Sequence, residues 1–206
     1  MQDLNVIIDK YSKRSGEGLL FVISGPSAVG KGTVVKRVLS DRENIRVSVS
    51  ATTRSPRTGE EEGVHYYFMS DAEFKEMADG GGFLEYAFVH GHYYGTPKKA
   101  VEEQLAQGND VILEIDVQGA AQVKDTGTEA VYIFVMPPSM EELRHRFDAR
   151  GTESPDDIEL RMGKAAGEIR RVSEYDYCIV NDDLDAAVEA VESVISSEHH
   201  KIREEI

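Results

Sequence analysis

The run Gly25-x-x-x-x-Gly30-Lys31 carries the clearest chemistry in the chain. Glycines at that spacing let successive backbone N–H groups turn inward around phosphate oxygens, and a lysine adds a mobile positive charge. The run follows the apolar stretch Leu19–Ile23 and precedes a helical pattern carrying Val34, Val35, Val38 and Leu39. A buried strand, a glycine loop and a helix whose positive end faces the loop together separate a phosphate site from an ordinary glycine turn. The usual loop places Ser or Thr directly after the lysine as a Mg²⁺ ligand; here Gly32 holds that place and Thr33 follows. The expected metal is then held by phosphates, water and a carboxylate, with Thr33 nearby. Asp116, after the apolar run Val111–Ile115, is the carboxylate candidate, although Asp before Gln118-Gly119 also reads as a helix cap.

A second anion site is suggested by Arg54 and Arg57, which flank Pro56. Two guanidiniums on a stiffened loop can grip a phosphate in a planar, bidentate way, with hydroxyl donors from Tyr66 and Tyr94. An arginine pair read alone is usually a solvated face; the neighbouring phosphate loop favours a phosphorylated acceptor. Glu85 lies inside the apolar stretch Phe83–Phe88. A carboxylate there either faces outward from a strand or accepts two adjacent donors, and guanine, unlike adenine, presents such a pair through N1–H and its exocyclic amine.

Six arginines fall between residues 144 and 171. Arg146 and Arg150 share a helical face and Arg161 follows on the next helix, a pattern suited to neutralising a transferring phosphoryl group. The competing reading is a helix pair solubilised by Glu141, Glu142 and Glu168. It is preferred for Arg144, Arg170 and Arg171.

These residues need a frame. Apolar strands are expected at Leu19–Ile23, Ile45–Ser50, Val111–Ile115, Val131–Met136 and Tyr177–Val180, alternating with helices. That rhythm predicts a parallel sheet covered on both faces. Residues 51–95 interrupt it with a long polar loop over Thr52–Gly63 and short extended pieces at Tyr66–Met69 and Phe83–His90. Between those pieces, Ser70 and Glu73 have capping-box spacing for a helix ending at Gly80-Gly81-Gly82. Further helices are expected from Pro97 to Gly108, from Ser139 to Gly151, from Ser154-Pro155 through Arg161, and from Asp185 onward. The interrupting segment is expected to form one wall of a cleft.

The chain has 206 residues, 40% hydrophobic and 30% charged, with one cysteine and a formal net charge of −15. That size fits one domain with its own core. The acidity repels nucleic acid on average, so a broad polyanion-binding role is not expected, and arginine clusters in such a chain need a local cause. A lone Cys178 agrees with a reducing, cytoplasmic setting, and no apolar run reaches membrane-spanning length.

The sequence closely resembles the guanylate kinases from about Leu19 to Asp185. The marks are Gly25-Pro26-Ser27-Ala28-Val29-Gly30-Lys31, Thr52-Thr53-Arg54-Ser55-Pro56-Arg57-Thr58-Gly59-Glu60, Gly63-Val64-His65-Tyr66-Tyr67-Phe68, Phe83-Leu84-Glu85, Tyr93-Tyr94-Gly95-Thr96, Ile115-Asp116-Val117-Gln118-Gly119, Arg150-Gly151-Thr152 and Val180-Asn181-Asp182-Asp183. The resemblance implies an α/β fold: a P-loop NTPase core with a parallel sheet flanked by helices, a small mixed GMP-binding insertion and a helical lid. It implies one domain over residues 1–206, with the core in 19–47, 100–140 and 172–206, the GMP-binding region in 48–99 and the lid in 141–171. It implies transfer of the γ-phosphoryl of MgATP to GMP.

Under that resemblance Gly25 to Thr33 and Asn181 would hold ATP. Lys31, Arg54, Arg146, Arg150 and Arg161 would serve the transferred group. Arg54, Arg57, Tyr66 and Tyr94 would hold the GMP phosphate, and Glu85, helped by Ser50, Thr96 and Asp116, would read guanine. Two positions depart from the family pattern. Ala28 stands where glycine is usual, which is tolerable if that residue avoids positive φ. Gly32 stands where many members have serine. The rival readings are a kinase of this architecture with another acceptor, and a non-catalytic guanylate-kinase-like module that binds phosphopeptides.

Overall fold

The computed structural model describes residues 4–5, 16–40, 42–150 and 154–202, with the Arg150 side chain outside that set. Its central sheet is built from β1 (Leu20–Ser24), β2 (Ile45–Val47), β7 (Asp110–Glu114), β8 (Val131–Met136) and β9 (Tyr177–Val180). The spatial order is β2-β7-β1-β8-β9, and every pairing is parallel. In β1, Phe21 and Ile23 face one way, against Val34, Val35 and Val38 of α1 (Lys31–Ser40) and Val188, Val191 and Ile195 of α7 (Leu184–Glu198). Leu20 and Val22 face the other way, against Val101 of α3 (Lys98–Ala106) and Ala120 and Val123 of α4 (Val117–Asp125). Coverage on both faces explains why these strands read as unbroken apolar runs. Each large side chain so buried contributes about 1.5–3 kcal/mol.

Residues 48–99 leave this sheet and build a second one from β3 (Ala51–Thr52), β4 (Tyr67–Phe68), β5 (Phe83–Val89) and β6 (His92–Pro97), in the order β4-β3-β6-β5. α2 (Asp71–Asp79) packs Phe74 between Phe83 and Tyr93, with ring centroids 4.3 and 5.1 Å apart. The expected capping box of Ser70 and Glu73 starts α2. The β5–β6 hairpin turns at His90 and Gly91, both at positive φ (51° and 85°), the mirror-image turn that matches strand twist. Gln122 of α4 pins the edge strand β5 to the core. Its side-chain amide accepts from Tyr86 N at 3.0 Å and donates to Tyr86 O at 3.1 Å.

Next come α5 (Met140–Arg150) and α6 (Pro155–Ile169), capped by Ser139 and Ser154 as expected. The expected stop at Gly151 lies outside the described residues.

Two expectations shift. The strand predicted over Ile45–Ser50 stops at Val47, because the chain crosses there from one sheet to the other; Ser48 N still bonds Ile112 O at 3.1 Å. Pro97 is the last residue of β6 and the N-cap of α3 rather than its first helical residue, with extended backbone (ψ 119°).

Asp110 locks the sheet's lower edge. Buried to 1% exposure, it accepts from Leu19 N at 2.8 Å and lies 2.8 Å from His199 Nε2 at the end of α7. Asp110→Ala strips both groups of their acceptor and is expected to cost about 2–4 kcal/mol. Urea unfolding checks this, and a loss under about 0.5 kcal/mol, the size of an ordinary surface substitution, would contradict it.

Candidate active site

The phosphate loop runs from the buried end of β1 into the first turn of α1, where strand ends of open α/β sheets hold ligands. Both its glycines are required. Gly25 has φ 146° and a Cβ there would stand 2.3 Å from Val135 O; Gly30 has φ 96° and a Cβ would stand 2.5 Å from Asn181 Nδ2. Lys31 Nζ folds back over the loop, donating to Gly25 O at 2.6 Å and Pro26 O at 3.2 Å.

Ala28 does occupy positive φ, at 65°, so the condition under which its methyl is readily tolerated is not met. The conformation costs an L-residue roughly 1–2 kcal/mol. Burial of the methyl among side chains of α5 and α6 offsets part of it, about 0.8 kcal/mol.

Arg146 of α5 ties three parts of the site together. It donates to Glu142 at 2.8 Å, to Val29 O at 3.1 Å and to Asn181 O at 2.9 Å. Asn181, only 6% exposed, donates its side-chain amide to the same Val29 O at 2.8 Å. Arg161 of α6 reaches to 3.5 Å from Ser27 Oγ. Arg144 and Arg171 instead pair with Glu159 (2.6 Å) and Glu174 (2.7 Å), carboxylates other than the Glu141, Glu142 and Glu168 that the solubilising reading named. The Arg150 side chain lies outside the described residues.

The residues expected to form the second anion site are organised by a carboxylate. Glu60 takes Arg54 in a two-pronged pair at 2.9 and 3.0 Å and also accepts from Arg57 N at 2.7 Å. The Arg54 hydrogen bond and then the Arg57 N–H pull the Glu60 carboxyl down to about 2. Arg54 also lies over the Tyr66 ring at 5.4 Å, Tyr94 stands edge-on to Tyr66, and Tyr94 helps to raise the Arg54 pKa. The guanidinium is therefore fixed in plane, while the Arg57 side chain is exposed.

Glu85 is half-buried on β5 and accepts from Thr96 Oγ1 at 2.6 Å. A Cβ on Gly119 would stand 3.2 Å from its other oxygen, so a glycine at the start of α4 makes room for the carboxylate. Burial, and secondarily the charge of Asp116, raises its pKa above the ordinary 4.5. Ser50 lies on the same wall, its carbonyl accepting from Tyr67 N at 2.9 Å.

Asp116 caps α4, accepting from Gln118 N and Gly119 N at 2.9 and 2.8 Å. The carboxylate beside the phosphate loop is Glu114, 3.2 Å from where a Cβ on Gly32 would stand. Sequence reasoning passed over Glu114, although a lone acid ending an apolar strand was its signal. Glu168, expected as a surface partner for arginine, lies instead against the phosphate loop. Burial raises its pKa while Lys31 and the Ser27 N–H oppose the rise.

Comparisons with known proteins agree on one family. The family model described as guanylate kinase matches residues 17–198. The guanylate kinase of Clostridium tetani (strain Massachusetts / E88) is 53% identical over 186 residues, 90% of this chain and 89% of that protein. The guanylate kinase of Clostridioides difficile (strain 630) is 50% identical, over 90% of this chain and 91% of that one. The crystal structure of guanylate kinase from Anaplasma phagocytophilum matches with a TM-score of 0.68 and 37% identity, covering 91% of this chain and 89% of that chain.

Thr96 is the hydrogen-bond donor that holds Glu85 down toward the ionised state. Thr96→Val is expected to raise the Glu85 pKa further, as read by a ¹³C carboxyl titration; an unchanged or lower value would contradict the assignment.

Proposed function

This chain belongs to the guanylate kinase family, and from that premise we infer how its own residues move the γ-phosphoryl group of ATP onto GMP. The chain is an ATP-dependent phosphotransferase acting on a nucleoside monophosphate. The observation that carries the residue assignments is the Glu85 carboxylate, held by Thr96 on the wall that also carries the Arg54 clamp.

GMP is placed with its phosphate on Arg54, Arg57, Tyr66 and Tyr94. Its N1–H and exocyclic amine are placed on Glu85, with Ser50, Thr96 and Asp116 around the base. ATP is placed with its phosphates in the loop from Gly25 to Thr33 and its adenine toward Asn181. Loop N–H groups, Lys31, Arg146, Arg150 and Arg161 are assigned to the charge that develops during transfer.

A GMP phosphate oxygen forms a bond to the γ-phosphorus as the bond from that phosphorus to the β–γ bridging oxygen breaks. GDP forms, and the electron pair leaves with ADP. The attacking oxygen is already ionised at neutral pH, so no general base is required. Positioning and charge neutralisation carry the catalysis. Packing of α5 and α6 over the loop serves to exclude water, which would otherwise compete as acceptor.

The oxygen donors present fit Mg²⁺ travelling with the ATP phosphates. Among the described residues no cluster of three acidic, His or Cys ligands exists to cage a metal, as suits an ion that keeps mostly phosphate and water ligands. Thr33 and, across Gly32, Glu114 would hold it, with Asp116, first in line from the sequence, committed to its helix cap. When bound, the ion would supply neutralising charge to the phosphates. The substrates are small molecules, and the lone exposed Cys178 suits a cytoplasmic setting.

Lys31→Ala is expected to cut turnover by about a thousandfold or more with the fold retained, and near wild-type rates in a folded variant would refute its role. Glu85→Gln is expected to raise KM for GMP roughly 10- to 100-fold while leaving KM for ATP nearly unchanged, the worth of one charge-assisted bond. Equal losses for both substrates would remove the base-reading role. Because guanine needs the ionised carboxylate and burial raises the free Glu85 pKa, acidification weakens GMP binding from a pH above the ordinary 4.5. That limb should be missing from the pH profile of Glu85→Gln.

A further inference from the structure

We propose that the Ala28 methyl is the joint that registers the helical pair α5–α6 on the phosphate loop, which makes Ala28 a positioning residue for the arginines those helices carry. The inference rests on the functional reading above, because it concerns the donor end of that site.

The backbone alone does not call for an alanine. Ala28 sits at φ 65°, a conformation glycine takes freely and L-residues adopt reluctantly. Its side chain is nevertheless 8% exposed, in a cluster with Leu143, Phe147, Ile158, Met162 and Ala165. The last five all come from α5 and α6, so within this buried cluster the phosphate loop is represented by the Ala28 methyl.

The arginines share that frame. Arg146 adjoins Phe147 in sequence, and Arg161 adjoins Met162. Each reaches one of the two residues flanking Ala28: Arg161 lies 3.5 Å from Ser27 Oγ, and Arg146, besides its bonds to Glu142 and Asn181 O, donates to Val29 O at 3.1 Å. An apolar grip at residue 28 thus sets where both guanidiniums fall around the phosphates. Polar contacts through long arginine side chains are adjustable, whereas a methyl group seated among packed side chains fixes distance and orientation together. The loop accepts a strained residue, and in exchange the lid gains a fixed seat on the element that holds the donor phosphates.

The test is Ala28→Gly, with hydrogen exchange followed in the substrate-free protein and steady-state kinetics in parallel. Loss of the buried methyl is expected to speed exchange in α5 and α6 by about fourfold or more, with α1 and α7 unchanged. KM for ATP should rise severalfold with little change in KM for GMP. In a Met162→Ala background, which opens the same cluster from the lid side, Ala28→Gly should add clearly less than it does alone. Unchanged lid exchange, exchange accelerated evenly through the molecule, or full additivity with Met162→Ala would each overturn the proposal. Exchange is read without substrate, so its outcome stays separate from the functional reading, which turnover by the unaltered protein reports.

Discussion

Two phosphate groups must be brought into contact on a protein that is itself strongly negative, and this electrostatic constraint organises the structure. Like unit charges 4 Å apart at a protein surface repel by about 4 kcal/mol, and each substrate brings more than one. With a formal net charge of −15, the chain supplies no favourable average field. Positive potential has to be local, inward-facing and held in advance. In the proposed reading the backbone N–H groups of the phosphate loop and the positive end of α1 provide it at one site, and the Arg54 guanidinium at the other.

The same constraint explains what these cations touch within the protein. Lys31 rests on loop carbonyls, Arg54 on Glu60, and Arg146 on Glu142 and two backbone carbonyls. Glu168 lies against the loop near Lys31. Each cation is thereby kept oriented rather than left as a loose side chain. Rigid elements keep the spacing. β1 and β7 are buried on both faces, and the Gln122 side chain fastens β5 to α4.

Much of this was legible in the sequence because it follows from local chemistry. The strands β8 and β9 fall where continuous apolar runs place them, and the Ser70–Glu73 box and the Ser154 cap start helices as their spacing requires. Glycines at 25 and 30 announce backbone that only glycine allows. What remained hidden depends on distant parts meeting. Nothing local says that the chain changes sheets after Val47, that Glu168 turns inward, or that Glu114 rather than Asp116 stands beside Gly32. Ala28 shows the limit most clearly. Sequence reasoning identified the conformational condition on that residue, but a compensating apolar cluster from two later helices was needed for the chain to violate it.

The central claim is that one carboxylate, Glu85, selects the acceptor by its two adjacent donors. The most direct measurement is ADP production from MgATP with GMP, dGMP, IMP, AMP and UMP offered separately to the unaltered protein. The account predicts strong turnover with GMP, weaker turnover with IMP, which lacks the exocyclic amine, and little with AMP or UMP. Turnover with AMP or UMP comparable to that with GMP would contradict it.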